Sequence, residues 1–341
     1  MMIRSRRENY VNKTPKTCLV GDIGGTNVRL AVADLSGSTP SILAPKSLSR
    51  AGHPTFEGVV DQYLEQSGGP IPDAIVVAVA GPIKDGKVKL TNGQWLLDEQ
   101  VLRGKGFANA RLINDYAALG YAVEHLDGDD LVAIGGEHPG IAGETVGVVG
   151  AGTGLGVAAL VRDAFTSAVM VTEGGHVAFA PVDKTEFEIL KVLLEHYPRV
   201  SVERVLSGPG LANIHWALAR MGGAKDPVML APEEVTTSAV AETDPIAVRA
   251  LDVFCGIYGR FAGDLALAFG ARGGIYLGGG IAPKLLPQLN NGTFRRCFEE
   301  KGRFDSYVGI VPTKVIVHPY AALLGSAEAA IRAFVRPRVS P

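Results

Sequence analysis

Two glycine-rich segments, each lying between apolar runs, constrain this 341-residue chain more than any other feature. They are Gly21-Asp-Ile-Gly-Gly-Thr-Asn27 and Gly150-Ala-Gly-Thr-Gly-Leu-Gly156. The flanking aliphatic residues predict strand–loop–strand units. Glycine lets backbone N–H groups approach an anion, and the threonines add hydroxyl donors. The pair therefore predicts phosphate binding from two sides, although each loop alone is equally typical of a tight hairpin.

The surroundings of these loops exclude two common nucleotide motifs. Neither segment ends in Gly-Lys-Ser/Thr, so neither is a Walker loop. A strand-like run, 157–161, follows the second segment where a dinucleotide fold needs a helix. Asp22 is a candidate Mg²⁺ ligand, because Mg²⁺ takes oxygen ligands and usually shares them with substrate phosphates.

Composition narrows the class of protein further. The net charge is −2 and no long basic tract occurs, so nothing indicates a nucleic-acid partner. Cys18, Cys255 and Cys297 lack metal-ligand spacing and predict buried, reduced thiols in a cytoplasmic protein. The longest apolar run, 146–161, is too short and too rich in glycine to span a membrane. Residues 1–16 are basic, show no secretory pattern and predict a disordered tail.

Strand-like and helix-like segments alternate along the chain, which predicts an α/β protein. An acidic stretch with Gly and Pro, 127–143, is typical of a domain boundary. Because one strand–loop–strand unit lies in each half, the sequence predicts a duplicated nucleotide-binding fold.

Four further segments carry candidate site residues. Asp115, after Asn114 at a strand-to-helix junction, is placed to accept the proton of an attacking hydroxyl, but Asn-Asp is more often simply a helix cap. Glu173-Gly-Gly-His176 offers hydrogen-bonding groups to a polyol, or forms a plain loop or a metal site. Glu203 is expected in the first turn of a helix capped by Ser201. The triple glycine 278–280 fits close approach to an adenine or ribose, or a crowded strand end.

Together these motifs resemble bacterial glucokinases of the proteobacterial type, within the sugar kinase, actin and Hsp70 superfamily. The resemblance runs from about Cys18 to Ala330 and includes Leu277-Gly-Gly-Gly-Ile-Ala-Pro283. It implies a two-domain, actin-like ATPase fold (ribonuclease H-like), with mixed sheets flanked by helices and a ligand cleft between the domains. The small α/β domain would comprise 17–125 plus about 319–341, and the large one 126–318.

The resemblance also implies an activity, the ATP-dependent phosphorylation of D-glucose at its 6-hydroxyl with Mg²⁺. Asp115 matches the general base, and the sugar ligands match Asn114, Asp115, Glu173, His176 and Glu203. The residues that match the ATP-binding positions are Gly21, Asp22, Ile23, Gly24, Gly25, Thr26, Gly152, Thr153, Gly154 and Gly279. Asp22 would hold Mg²⁺ directly or through water. A cytoplasmic homodimer is implied, and the alternatives are a mannose or fructose kinase, a non-catalytic sugar sensor, or a structural ATPase.

One departure from the related repressor and kinase branch is informative. That branch carries a cysteine-rich zinc motif after its Glu-Gly-Gly-His, and this chain has no cysteine between His176 and Cys255. His176 is therefore expected to bind sugar and not zinc. The sixteen residues before the first predicted strand are too few for a helix-turn-helix domain.

Overall fold

The computed structural model describes residues 14–37, 39–90, 95–163 and 166–336, so most of the predicted disordered tail lies outside the described residues. The chain forms two compact units. The first contains the described residues of Met1–Leu126 and Pro319–Pro341, and the second is Asp127–His318. The contacts within each unit therefore place the boundaries between the units after residues 126 and 318.

The secondary structure is numbered in chain order. The strands are β1 (Thr17–Ile23), β2 (Asn27–Asp34), β3 (Ser41–Ser49), β4 (Ala74–Val79), β5 (Lys87–Lys89), β6 (Leu96–Asp98), β7 (Asn109–Asn114), β8 (Leu131–Ala133), β9 (Val146–Ala151), β10 (Leu155–Arg162), β11 (Ser167–Thr172), β12 (Gly274–Leu277) and β13 (Thr313–Ile316). The helices are α1 (Phe56–Ser67), α2 (Glu99–Gly104), α3 (Asp115–Ala122), α4 (Lys184–Leu194), α5 (Gly208–Met221), α6 (Pro232–Val240), α7 (Pro245–Phe269), α8 (Leu286–Leu289), α9 (Thr293–Glu299), α10 (Asp305–Gly309) and α11 (Ala321–Ala330). Strands and helices alternate as the predicted α/β class requires.

The first unit is built on a five-stranded mixed sheet in the order β3-β2-β1-β4-β7. Strands β1 to β3 are antiparallel, whereas β1, β4 and β7 run parallel. Alternating side chains of β1 enter two cores: Leu19 packs with α1 and α2 residues, and Val20 packs with α3 and α11 residues. The sheet is therefore covered by helices on both faces, which explains why β4 is apolar throughout.

The second unit repeats this plan around a six-stranded sheet in the order β11-β10-β9-β12-β13-β8. Strands β9, β10 and β11 are antiparallel, and β9, β12 and β13 run parallel. Its core is dominated by α7, which buries Leu251, Phe254, Cys255, Tyr258 and Leu265. The two mixed sheets confirm the predicted repetition of a hairpin unit in each half.

Glycines allow close contacts between helices in each unit. On α11, a Cβ at Gly325 would overlap the carbonyl oxygen of Ala118 in α3. On α7, a Cβ at Gly259 would overlap the carbonyl oxygen of Phe294 in α9. Backbone thus packs directly on backbone, and α3, whose first residue is Asp115, is held against α11.

The burial of the cysteines follows the prediction, and that of α4 is divided between two faces. The three cysteines are buried and free, as predicted, and burial raises the pKa of Cys255 to about 12. On α4, Ile189 and Leu193 are buried in the core, whereas Phe187 and Leu194 are about half exposed. Among the described helices, none has both the length and the apolar composition that a membrane span requires.

Candidate active site

The first glycine loop is exposed and short. Of the residues predicted to bind phosphate, Gly21, Asp22 and Ile23 lie within β1, so the loop itself is Gly24–Thr26. The Gly24 N–H donates to the carbonyl oxygen of Asn27 at 2.9 Å and closes the turn. No atom lies within 4 Å of the position that a Gly25 Cβ would take. The outer side of this loop therefore has room for an anion.

Arg50, which the sequence analysis did not single out, supports the first loop from behind. Its Nη1 donates to the carbonyl oxygens of Gly24 and Gly25 at 3.0 and 2.9 Å, and its backbone N–H donates to the oxygen of Thr26 at 2.9 Å. The guanidinium lies 4.6 Å from the ring centre of Trp95. These bonds hold the loop carbonyls on one side and place a positive charge beside a candidate phosphate site.

Asp22 forms an ion pair across the hairpin. Its Oδ2 lies 3.0 Å from Nη1 of Arg29, the residue opposite it in the β1–β2 register. Burial raises the pKa of Asp22, while the charge of Arg29 acts in the opposite direction. Within the described ranges no cluster of three or more His, Cys, Asp or Glu side chains offers a complete protein site for a metal. A single carboxylate beside a phosphate loop fits Mg²⁺ that takes most of its ligands from phosphate and water.

Asn114 and Asp115 lie at the junction of β7 and α3. Asn114 is the N-cap: its Oδ1 accepts hydrogen bonds from the N–H groups of Tyr116 and Ala117 at 3.0 and 3.1 Å. Asp115 is the first helical residue, and its Oδ1 accepts from Tyr116 N–H at 2.9 Å. The capping interpretation is therefore confirmed for Asn114. For Asp115 it leaves a carboxylate fixed at the positive end of a helix dipole.

Sheet register brings Asp115 to the same edge as the first loop. Ile23 of β1 pairs with Val79 of β4, and Val79 pairs with Asn114 of β7. Because these three strands are parallel, their carboxyl ends meet at one edge of the sheet. The last residues of β1 and β7 are thus two strand spacings apart, about 10 Å. A phosphate at the loop and an acceptor hydroxyl at Asp115 would fit within that distance.

The second glycine loop, Gly152–Gly154, connects β9 to β10. The Gly152 N–H donates to the oxygen of Gly154 at 2.8 Å, and the Gly208 N–H, at the start of α5, donates to the oxygen of Gly152 at 2.8 Å. Thr153 at the tip is exposed. A strand follows the loop, as predicted, so the dinucleotide interpretation is excluded by the structure as well.

The triple glycine passes beside the end of β9. Gly278 N–H donates to the oxygen of Val149 at 2.9 Å, and Ile281 N–H donates to that of Ala151 at 3.3 Å. Gly279 is exposed and has a φ of 79°, a conformation that favours glycine. The predicted nucleotide residue Gly279 therefore lies on the segment that borders the second loop.

Three predicted sugar ligands come together in the second unit. His176 Nδ1 lies 3.9 Å from Glu203 Oε1, and His176 Nε2 lies 3.9 Å from Glu173 Oε2. The side chains of Glu173 and His176 are 73% and 57% exposed, and that of Glu203 is 28% exposed. These polar groups form an open, hydrogen-bonding surface suited to several hydroxyls. Asn114 and Asp115, the other two predicted ligands, belong to the first unit.

The local structure around Glu203 differs from the prediction. Glu203 lies in a single 3₁₀ turn, Val202–Arg204, and the side chain of Ser201 makes no cap bond. The true cap is Ser207, whose Oγ accepts from Gly210 N–H at 3.0 Å at the start of α5. The glutamate is instead fixed through Oε2, which accepts from Leu155 N–H at 2.9 Å. Sequence spacing could not predict this bond, since the partners are 48 residues apart.

The turn that carries His176 is fixed from both sides. It is a 3₁₀ turn, Gly174–His176, and a Cβ at Gly175 would overlap the carbonyl oxygen of Leu155. Arg199 Nη1 donates to the carbonyl oxygen of His176 at 2.8 Å. The two glycines after Glu173 are thus needed for packing against β10, a reason that sequence alone did not supply.

Sequence comparison finds similar proteins over most of the chain. The sequence model of a family described as Glucokinase matches residues 19–333. A glucokinase of Caulobacter sp. is 45% identical over 312 residues, covering 91% of this chain and 94% of the relative. One from Klebsiella pneumoniae is 43% identical over 312 residues, covering 91% and 96%.

Solved structures agree on the fold. The crystal structure of a glucokinase from an Antarctic psychrotroph has a TM-score of 0.84 at 34% identity, covering 93% of this chain and 99% of that chain. A ROK family glucokinase from Streptomyces griseus, solved with glucose and AMPPNP, has a TM-score of 0.59 at 20% identity, covering 93% and 99%. The fold is the two-domain, actin-like fold of sugar kinases, as predicted. Because the family model and these relatives match the chain over nearly its whole length, the chain belongs to the glucokinase family.

Proposed function

We propose that Asp115 is the general base in the transfer of the γ-phosphoryl group of ATP to the 6-hydroxyl of glucose. The chain is an ATP-dependent glucokinase, as its family and relatives indicate. The observation that supports the role of Asp115 is its position. It directly follows β7, and the carboxyl end of β7 lies at the same sheet edge as the carboxyl end of β1, where the first glycine loop begins. An acceptor hydroxyl at Asp115 is then within reach of a phosphate at that loop.

In this mechanism the Asp115 carboxylate accepts the proton of the 6-hydroxyl as its oxygen attacks the γ-phosphorus. The bond from the γ-phosphorus to the bridging oxygen breaks, and that oxygen leaves with ADP. Backbone N–H groups of Gly25 and Thr26 in the first loop, and of Thr153 and Gly154 in the second, orient the phosphates, so catalysis is mostly positioning and electrostatics. Mg²⁺, when bound, neutralises charge on the phosphate oxygens. Asp22 would hold it directly or through water.

The sugar is bound by groups that each pair with particular hydroxyls. Glu173, His176 and Glu203 supply acceptors and a ring N–H, and the Asn114 amide adds a donor. A sugar with a missing or inverted hydroxyl would leave a carboxylate unpaired, which lowers kcat/KM. The alternatives that share phosphoryl transfer are a mannose kinase and a fructose kinase. The alternative without phosphoryl transfer is a non-catalytic sugar sensor.

The test is a coupled assay of ADP and glucose 6-phosphate formation with glucose, mannose and fructose. Asp115→Asn is expected to lower kcat by about 10²- to 10⁴-fold, because the base is lost while the side-chain shape is kept. The amide oxygen still accepts from Tyr116 N–H, so the melting temperature and the Kd for glucose should change little. Near-normal turnover in this variant would exclude Asp115 as the base. Folded wild type that binds glucose without releasing ADP would favour the sensor.

We also propose that the protein is a cytoplasmic homodimer. Three apolar side chains on or beside α4, those of Val182, Phe187 and Leu194, are 49 to 59% exposed, which supports a self-association surface there. Buried, unpaired thiols are typical of a reducing compartment. Sedimentation of the wild type and of Phe187→Glu tests the dimer: a monomeric wild type would contradict it.

A further inference from the structure

The two oxygens of the Glu203 carboxylate have different neighbours. Its Oε2 accepts a hydrogen bond from Leu155 N–H at 2.9 Å, and its Oε1 faces His176 Nδ1 at 3.9 Å. Leu155 is the first residue of β10 and directly follows the second glycine loop. A single side chain therefore touches both the candidate sugar surface and the end of a candidate phosphate loop.

The second glycine loop, the Glu203 side chain and the His176 turn are closely packed around Leu155. A Cβ at Gly154 would lie 2.7 Å from Glu203 Oε2, so the loop backbone is in direct contact with the carboxylate. The carbonyl oxygen of Leu155 is covered by Gly175, in the turn that carries His176. The Leu155 residue is thus held through its N–H by Glu203 and through its carbonyl by the neighbouring turn.

A carboxylate is an unexpected support for a phosphate loop, because it repels the phosphate that the loop should bind. Its charge is offset if the second oxygen binds sugar hydroxyls, which donate hydrogen bonds to it. Such bonds fix the rotamer of Glu203 and with it the hydrogen bond to Leu155, so the entropy lost in ordering the side chain is shared between the two ligands.

We infer that Glu203 is a positioning residue that couples glucose binding to the second phosphate loop through Leu155 N–H. The inference rests on the proposed role of Glu203 as a sugar ligand. Glucose is then expected to tighten the binding of the nucleotide, and the nucleotide to tighten glucose by the same factor, because linkage is reciprocal.

The coupling is measured by calorimetric titration of the whole protein with a non-hydrolysable ATP analogue and Mg²⁺, with and without saturating glucose. In the wild type we expect glucose to lower the Kd of the analogue by about fivefold or more. Gly154→Ala places a methyl group against the carboxylate. We expect it to raise the Kd for glucose alone and to reduce the coupling to less than about twofold.

Gly152→Ala is the matched control. It lies in the same loop, its φ is outside the glycine-favouring region, and nothing lies within 4 Å of its Cβ position. We expect this variant to keep the wild-type Kd for glucose alone and the wild-type coupling factor, whatever it does to the affinity for the analogue itself. Equal loss of coupling in both alanine variants would overturn the inference, because the contact with Glu203 would then be irrelevant.

Substitutions of Glu203 separate this inference from the proposed function. Glu203→Gln keeps an oxygen for Leu155 N–H but loses the charge. Glucose should therefore bind more weakly, while the analogue alone should bind no more weakly than before, because the repulsion of its phosphates is removed. An unchanged Kd for glucose would contradict the sugar-ligand role itself. Weaker glucose binding in Glu203→Gln, with full coupling in Gly154→Ala, would overturn only the linkage. If Gly154→Ala does not fold, Glu203→Asp replaces it: this side chain keeps the charge but is too short to reach both partners, and retained coupling would refute the inference.

Discussion

The two glycine loops occupy equivalent places in their sheets, yet groups of opposite charge support them. In the first unit, the Arg50 guanidinium holds the carbonyl oxygens of Gly24 and Gly25. In the second, the Glu203 carboxylate holds the N–H of Leu155. A cation beside a phosphate loop also attracts phosphate, so its presence agrees with the function of the loop. A carboxylate opposes it, and its presence therefore points to a second ligand, which we propose to be the sugar.

Although different charged residues support the two loops, the helices of the two units pack in a similar way. Each unit has a glycine at which two helices touch through their backbones, such as Gly325 in the first and Gly259 in the second. The repeated plan thus extends to packing, while the charged residues around the loops are particular to each unit.

The largest effects are expected from filling these two glycine contacts. Gly325→Ala and Gly259→Ala should each lower the free energy of unfolding by about 3 kcal/mol, because the new methyl group overlaps a carbonyl oxygen of the neighbouring helix. Thermal or urea unfolding measures this. Gly309→Ala is the control, since nothing lies within 4 Å of its Cβ position, and it should be neutral or slightly stabilising.

Gly325→Ala has a further use, because α11 holds α3, the helix that begins at Asp115. If both variants lose the same free energy of unfolding, the kcat of Gly325→Ala should fall more than the kcat of Gly259→Ala. Equal activity in the two variants would show that the position of α3 does not affect the reaction.

Removing the cation under the first loop should have an intermediate effect. Arg50→Ala is expected to raise the KM for ATP by about tenfold, near 1.4 kcal/mol, by releasing the loop carbonyls. The KM for glucose should not change. Arg50→Lys keeps the charge but not the planar group stacked on Trp95, and should restore part of the loss. If Arg50→Ala and Glu203→Gln raised the same KM, the proposed division of roles between the two loops would be wrong.

The smallest effect concerns acid stability of the first unit. Glu328 on α11 is buried, which raises its pKa, but hydrogen bonds from His125 and Arg332 and the charge of Arg336 outweigh burial and hold the pKa below its ordinary value of 4.5. Such a carboxylate stabilises the fold fully above that value and loses its effect as the pH falls through the lower, folded pKa. Glu328→Gln should therefore melt below the wild type at pH 7.

The pH dependence of the melting temperature tests whether ionised Glu328 causes this effect, and a second variant provides the control. The gap in melting temperature between wild type and Glu328→Gln, about 3 °C at pH 7, should narrow as the pH falls below 4.5. Glu195→Gln, which removes an exposed partner of Arg220, should follow the wild type at every pH. A gap that widened on acidification would show that the Glu328 cluster is not stabilised by its ionised form.

Some features of the site were readable in the sequence because they are local. A glycine loop between two apolar runs is visible within a dozen residues, and so is an Asn-Asp pair at a strand-to-helix junction. Glu203 was predicted in the first turn of a helix capped by Ser201, but it lies in a single 3₁₀ turn in which the Ser201 side chain makes no cap bond, and a distant N–H group, that of Leu155, fixes the glutamate. The buried positions of α4 include the charged Glu186, which is paired with Arg260 across the unit, a contact that no local pattern indicates.

The sequence by itself determined the α/β class, the two strand–loop–strand units, the buried free thiols and the family resemblance, because each depends on residue type and short-range spacing. Only the tertiary structure decided that Arg50 supports the first loop, that Asp115 shares a sheet edge with it, and that Glu203 binds Leu155 N–H. These contacts join residues 25 to 48 positions apart, or strands brought together by crossover connections. Such pairings depend on sheet order and register, which no local pattern encodes.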